Sequence, residues 1–246
     1  MGRQFKYIAF GIALVILSVI TYYFHYLIFR DYHHIFIYLL GDIAFVPIEV
    51  LLVSMIIHHF LNEMDKRNKL EKLNMIIGSF FSEVGTKLLA LISNADPELD
   101  SVRKYIIIRD NWTDKEFEKI IKYLNNYEYN IDIKKLDLED LRTFMIDKRN
   151  FLVLLLENPT MLEHEVFTEL LRAVFHLAEE LEFRDDFAPL PDTDINHLSI
   201  DIKRVYSLLA IEWVSYMRYM KSNYPYLFSL SMRTNPFDKD ASPIVD

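Results

Sequence analysis

The hydrophobic pattern changes character along the chain. From Tyr7 to Phe29 the sequence carries no charge and is broken only by Ser18, Thr21 and His25. A second apolar stretch, Ile35 to Leu61, is longer and less pure. Beyond Leu61 the apolar residues recur at helical spacing, with polar residues between them. The first stretch, as a helix rising about 1.5 Å per residue, reaches about 34 Å, enough to cross a ~30 Å hydrocarbon core. Arg30-Asp31-Tyr32-His33-His34 leaves room only for a tight turn, so the two helices are antiparallel neighbours. A cleaved signal sequence has a shorter apolar core ending in small residues, unlike Tyr22-Tyr23-Phe24-His25. The pattern predicts a transmembrane hairpin over residues 1–61, with spans near 7–29 and 35–61.

Basic residues orient it. Arg3 and Lys6 precede the first span, and Lys66, Arg67, Lys69 and Lys72 follow the second. The turn has only Arg30, beside Asp31. The positive-inside rule puts both termini in the cytoplasm, which implies a multi-pass protein of the cell (inner) membrane. Tyr22, Tyr23, Tyr26, Tyr32 and Tyr38 gather near the turn, where an aromatic belt belongs.

The second span holds two acids. In Gly41-Asp42-Ile43-Ala44-Phe45-Val46-Pro47-Ile48-Glu49, Asp42 and Glu49 lie seven residues apart and so share a face. An Asp at a span centre costs about 2.5–3.5 kcal/mol on insertion scales. Pro47 removes a backbone hydrogen bond between them and is expected to kink the helix. One reading assembles several copies so that Asp42 and Glu49 line a cation path or cation site. Another pairs Asp42 with His25 inside one hairpin and leaves Glu49 protonated or hydrogen-bonded to Ser18. A third makes the acids a sensor that titrates or binds an ion without conducting.

No breaker separates Leu61 from Ser93, so the second span is expected to continue as a helical extension over residues 62–95. Leu70, Leu73, Ile77, Phe80 and Val84 follow 3, 4, 3, 4 spacing, the seam of a coiled coil. Lys87 interrupts the series, with Leu88 beside it. Gly78, Ser82 and Gly85 permit close helix approach. Self-association along this seam is the preferred reading; packing on the following domain is the other.

Residues 96–235 read as a cytoplasmic helical domain and 236–246 as a tail. Asp96-Pro97 ends the long helix. Thr113-Asp114-Lys115-Glu116 is a capping box for a helix to about Tyr127. Trp112 and the Tyr123–Tyr129 stretch suit packing or an interface. Asp137 opens a helix that stops at Asn158-Pro159. Met161–Phe183 is amphipathic: Val166, Leu170, Val174, Leu177 and Leu181 share one side, and Glu165, Glu169, Arg172, His176, Glu179 and Glu180 the other. Glu169, His176 and Glu180 suggest a metal set, yet a solvated ion-pair stripe explains them better. An Asp192-capped helix to about Ser222 buries Leu198, Ile202, Val205, Leu209, Trp213, Tyr216 and Met220. His197, Asp201 and Glu212 at its polar border suit a core-edge hydrogen-bond network. Tyr226–Met232 reads as a short last helix.

Composition narrows the chemistry. A net charge of −9 without a basic stripe argues against nucleic acid as a partner. Zero cysteines exclude thiolate chemistry, and five glycines include neither phosphate-cradling fingerprint. No nucleophile–base pair or cofactor motif stands out, so an enzyme is not expected.

Two resemblances bear on the hairpin. A second span opening with Asp, Glu and Pro is similar in principle to the mitochondrial calcium uniporter family. Here, however, the acids are seven apart, no Trp precedes Asp42, and Pro47 comes before Glu49. The Gly41–Glu49 motif, with Tyr-Pro-Tyr-Leu-Phe-Ser-Leu-x-x-Arg-Thr-Asn-Pro-Phe at 224–237, resembles an uncharacterised prokaryotic family of two-span membrane proteins with a helical cytoplasmic domain. That resemblance implies no activity. The expected protein is therefore all-α: a homo-oligomer in the lipid bilayer with a cation site at Asp42 and Glu49. The alternative is a membrane-anchored signalling or scaffold protein whose helical domain binds a cytoplasmic partner.

Overall fold

The computed structural model describes residues 2–188 and 190–244, with side chains from Phe5 onward except at Val102, Leu162 and Glu163. The Arg3 side chain used to orient the hairpin, and Val245 and Asp246 of the expected tail, lie outside it. No strand forms among the described residues; the protein is all-α. It divides into two compact units, one ending at Lys66 and the other beginning at Arg67.

The first unit contains α1 (Gly2–Phe29) and the first part of α2 (Tyr32–Phe80). The turn is shorter than the five residues expected. Arg30 adopts a left-handed conformation with φ 49°, and its N–H donates to the Tyr26 carbonyl at 2.8 Å. The Asp31 carboxylate accepts from the N–H groups of His33 and His34 at 3.0 and 3.2 Å, satisfying donors that open α2. Both helices are long and apolar enough to cross a membrane, and the chain buries none of their most apolar 18-residue windows. Pro47 sits inside α2 without ending it.

The second unit begins on the rest of α2. Helical backbone runs on through a π-helical turn, Phe81–Gly85, into α3 (Thr86–Ser93). A π turn adds one residue to the helical repeat. That explains the broken seam: extending 3–4 spacing from Val84 leads to Lys87 and Leu91, whereas Leu88 and Ile92 are the fully buried residues. Lys87 is exposed, with its ammonium 4.5 Å from the Phe144 ring centroid.

The remaining helices are α4 (Leu99–Ile106), α5 (Asp114–Leu124), α6 (Leu138–Leu156), α7 (Glu165–Glu182), α8 (Asp192–Asn223) and α9 (Pro225–Arg233). The long α8 is central, packing against α3, α5, α7 and α9, while α6 packs on α7. Its buried face includes Leu198, Ile202, Val205, Leu209, Trp213 and Met220; Tyr216 is half-buried. Phe81 stacks on Tyr216 at 5.4 Å and meets Trp213 edge-on at 5.5 Å, and Phe80 meets Phe167 at 5.3 Å. Such ring pairs contribute roughly 0.5–1.5 kcal/mol each beyond their burial.

These contacts correct the preferred reading of the seam. Leu73, Ile77, Phe80 and Val84 are buried in the second unit's own core, and Leu70 alone of the five is exposed. The face packs on the following domain, the other reading. Gly78 serves that packing: a Cβ there would lie 2.6 Å from the Tyr216 hydroxyl.

Helix ends follow local chemistry. The Thr113–Glu116 capping box opens α5, which stops at Leu124, short of Tyr127. Asp137 accepts from the Asp140 N–H at 2.9 Å and caps α6. The predicted Met161–Phe183 helix starts only at Glu165, because Pro159–Glu163 forms a 3-10 turn and His164 Nδ1 accepts from the Phe167 N–H at 3.1 Å. Val166, in the first turn, is therefore exposed. The cap of the next helix falls on Pro191, with Asp192 its first residue. The expected tail is docked at its start: Pro236 and Phe237 are buried, Arg103 Nε donates to the Phe237 carbonyl at 2.6 Å, and Lys239 pairs with Asp100 at 3.0 Å.

Candidate functional site

The acids of α2 lie where the sequence put them, with different neighbours. Asp42 and Glu49 are both exposed on the first unit's surface. Asp42 Oδ2 accepts from the Tyr22 hydroxyl of α1 at 3.4 Å, a long bond. The expected partner, His25, instead lies parallel to His34 with ring centroids 6.3 Å apart, and also packs on Phe29 at 4.7 Å. Its Nδ1 is buried and has no hydrogen bond among the described residues. Ser18, Tyr22 and His25 line one recess of α1. Among the described residues, no hydrogen bond joins Ser18 to Glu49. The pairing of Asp42 with His25 and Glu49 with Ser18 is therefore not the arrangement formed. Sequence reasoning passed over Tyr22, which it assigned to the aromatic belt.

Asp96 and Glu212 are among the polar residues in the second unit's interior. Asp96 accepts from the Tyr127 hydroxyl at 2.9 Å and the Glu98 N–H at 2.9 Å, and burial raises its carboxyl above the usual range. Tyr127, Tyr129 and Tyr206 stack edge-on around it, so part of the tyrosine-rich stretch is packing. Glu212 is 6% exposed, and burial pushes its carboxyl up to about 7.

A second constellation lies between α7 and α8. Each helix carries a histidine followed four residues later by an acid: His176 and Glu180 on α7, His197 and Asp201 on α8. His176 Nε2 is 3.8 Å from Glu180 Oε1 and 3.7 Å from Asp201 Oδ2; His197 Nε2 is 3.6 Å from Glu180 Oε2 and 3.4 Å from the same Asp201 oxygen. Asp201 is 7% exposed, and its Oδ2 is buried without a hydrogen-bond partner. Arg184 donates to Glu180 Oε2 at 2.7 Å, which, ahead of the other influences, holds that carboxyl below its ordinary value. Arg184 also grips Asp194 through two bonds of 2.9 and 2.7 Å. Glu169 is exposed and lies outside the group. The polar face of α7 is thus partly covered, by the polar border of α8.

These features define an all-α protein with an apolar N-terminal helix pair and a larger C-terminal helical domain. The chain belongs to the MJ1433 family. Residues 3–61 match the domain described as "MJ1433, N-terminal helical domain", and residues 69–233 match "Uncharacterized protein MJ1433, C-terminal helical domain". The break between these domains brackets the division at Lys66 and Arg67. A relative from Methanocaldococcus jannaschii, described as "Uncharacterized protein MJ1433", is 51% identical over 228 residues, covering 93% of this chain and 92% of the relative. No solved structure matches the chain.

Proposed function

We propose that the protein is an oligomeric integral membrane protein of the cell membrane, with its helical domain in the cytoplasm. In this reading the second spans of several copies bring Asp42 and Glu49 together as a cation pathway or cation-binding site. The observation that carries it is the solvation of Glu49. It sits mid-span on the stripe of Asp42, and no basic residue or hydrogen-bond donor of its own hairpin meets it among the described residues. At lipid depth a carboxylate needs water, a cation, a proton or a neighbouring polar group. The long Tyr22 bond to Asp42 offsets little of that cost.

The exposure of both apolar helices supports a lipid surrounding, since a buried core helix would be covered by its own chain. Four of the five seam residues are used inside the second unit, so assembly in this reading rests on the spans. Purified protein in liposomes tests the proposal by its flux of monovalent and divalent cations. Flux is expected in the native chain and a drop of at least about tenfold in Asp42→Asn and Glu49→Gln, the scale of one lost charge interaction of about 1.4 kcal/mol. Unchanged flux in both variants would remove the basis of the pathway.

A further inference from the structure

We propose that His176 and Glu180 of α7, with His197 and Asp201 of α8, form a site for one divalent transition-metal ion of the zinc class. The proposal rests on the second unit alone and holds whether or not the spans conduct.

His176, Glu180 and Asp201 group around a shared centre, and His197 meets that group through the two carboxylates. Ligands about 2.0–2.1 Å from a tetrahedral ion lie roughly 3.4 Å from one another. The four histidine–carboxylate separations are 3.4, 3.6, 3.7 and 3.8 Å. Direct pairing of protonated histidines with these acids would bring nitrogen and oxygen to about 2.7–2.9 Å. Each of these four gaps exceeds that by at least half an ångström. One ligand atom each from His176, Glu180 and Asp201 lies within 4.8 Å of the others.

The backbone explains how the donors meet. An i,i+4 spacing puts both ligands of a helix on one face. α8 runs back along α7, so His176 comes level with Asp201, and Glu180 with His197.

Asp201 supplies the independent sign of a ligand. Its Oδ2 is buried, lacks a donor and points between the two imidazoles. An anionic oxygen left so is costly, and a bound cation removes the cost. Charge agrees. Arg184 is balanced by Asp194, which leaves the two acids Glu180 and Asp201 beside two imidazoles. A divalent ion neutralises them. Arg184 also fixes the Glu180 carboxylate from outside, the arrangement that orients metal ligands elsewhere. Imidazole with carboxylate favours zinc-class ions over Ca²⁺ or Mg²⁺, which prefer oxygen.

Untagged full-length protein in detergent, stripped with EDTA, provides the test. Calorimetric titration with Zn²⁺ should show one tight site per chain, with Ca²⁺ and Mg²⁺ weaker by about 100-fold or more. X-ray absorption at the zinc edge should report two imidazole nitrogens with oxygen ligands. His176→Ala combined with His197→Ala removes two half-exposed side chains and should weaken Zn²⁺ by about 100-fold or more while helix content stays native. Asp42→Asn with Glu49→Gln should leave the tight site intact, which separates this proposal from the pathway. Absence of a tight zinc site, equal affinity in the double-histidine variant, or a zinc spectrum without imidazole would each overturn it.

Discussion

Residues 5–61 and the helical domain after them are both rich in large apolar side chains, yet those side chains meet different fates. Leu14, Ile16, Leu51, Leu52 and Ile56 are each at least half exposed, whereas Leu88, Leu170, Val174 and Leu209 are sealed from solvent. Arrangement, more than content, separates them. An unbroken apolar run clothes every side of its helix and leaves no polar face for water. A periodic one gives each helix an inside and an outside, so neighbouring helices of one chain cover the inside.

The sharpest way to break this contrast is a matched pair of truncations. Phe81→Ala should lower the stability of the folded domain by about 3–5 kcal/mol, seen as a large fall in thermal midpoint by circular dichroism. Leu52→Ala in the same detergent should change it by less than about 0.5 kcal/mol. Equal falls would mean that the two regions share one core.

A smaller effect comes from Glu212, which has no counterpart among the paired surface acids. Its folded-state value of about 7 lies above the ordinary 4.5, so the unfolded chain ionises first. The stability held by the protonated form is therefore fully present below about pH 4.5 and declines as pH rises through 7. At 1.36 kcal/mol per unit the decline reaches up to about 3 kcal/mol. Denaturant unfolding between pH 4.5 and 8 should show it, and Glu212→Gln should flatten the slope. A native slope retained in the variant would assign it to other groups.

The smallest effect is at a helix end. Asp137→Ala removes the acceptor for the Asp140 N–H and should cost about 1 kcal/mol by the same unfolding measurement. No change would mean that water replaces the cap at once.

Much of this organisation was legible in the residues. The all-α class, the two long apolar helices, the Thr113 and Asp137 helix starts and most of the α8 core follow from periodicity and capping chemistry. What stayed hidden depends on contacts between distant residues. The 3–4 spacing of Leu73, Ile77, Phe80 and Val84 is equally good for a second copy or for the chain's own domain, and the core chose the domain. His176 with Glu180, and His197 with Asp201, each look like ordinary surface pairs until α8 folds beside α7. Tyr22 rather than His25 reaches Asp42, because depth along a span says nothing of rotation about it. Phe237, a lone aromatic in polar sequence, carried too little pattern to announce that it was buried.

The π turn at Phe81–Gly85 makes chain length, more than side-chain identity, the guarded property of that segment. Its extra residue advances the following helix by about 100°, a phase correction that keeps one greasy stripe aimed at one target. Insert one further residue there and Lys87 takes the bearing of Leu88, delivering an ammonium group where the protein has no water to offer it.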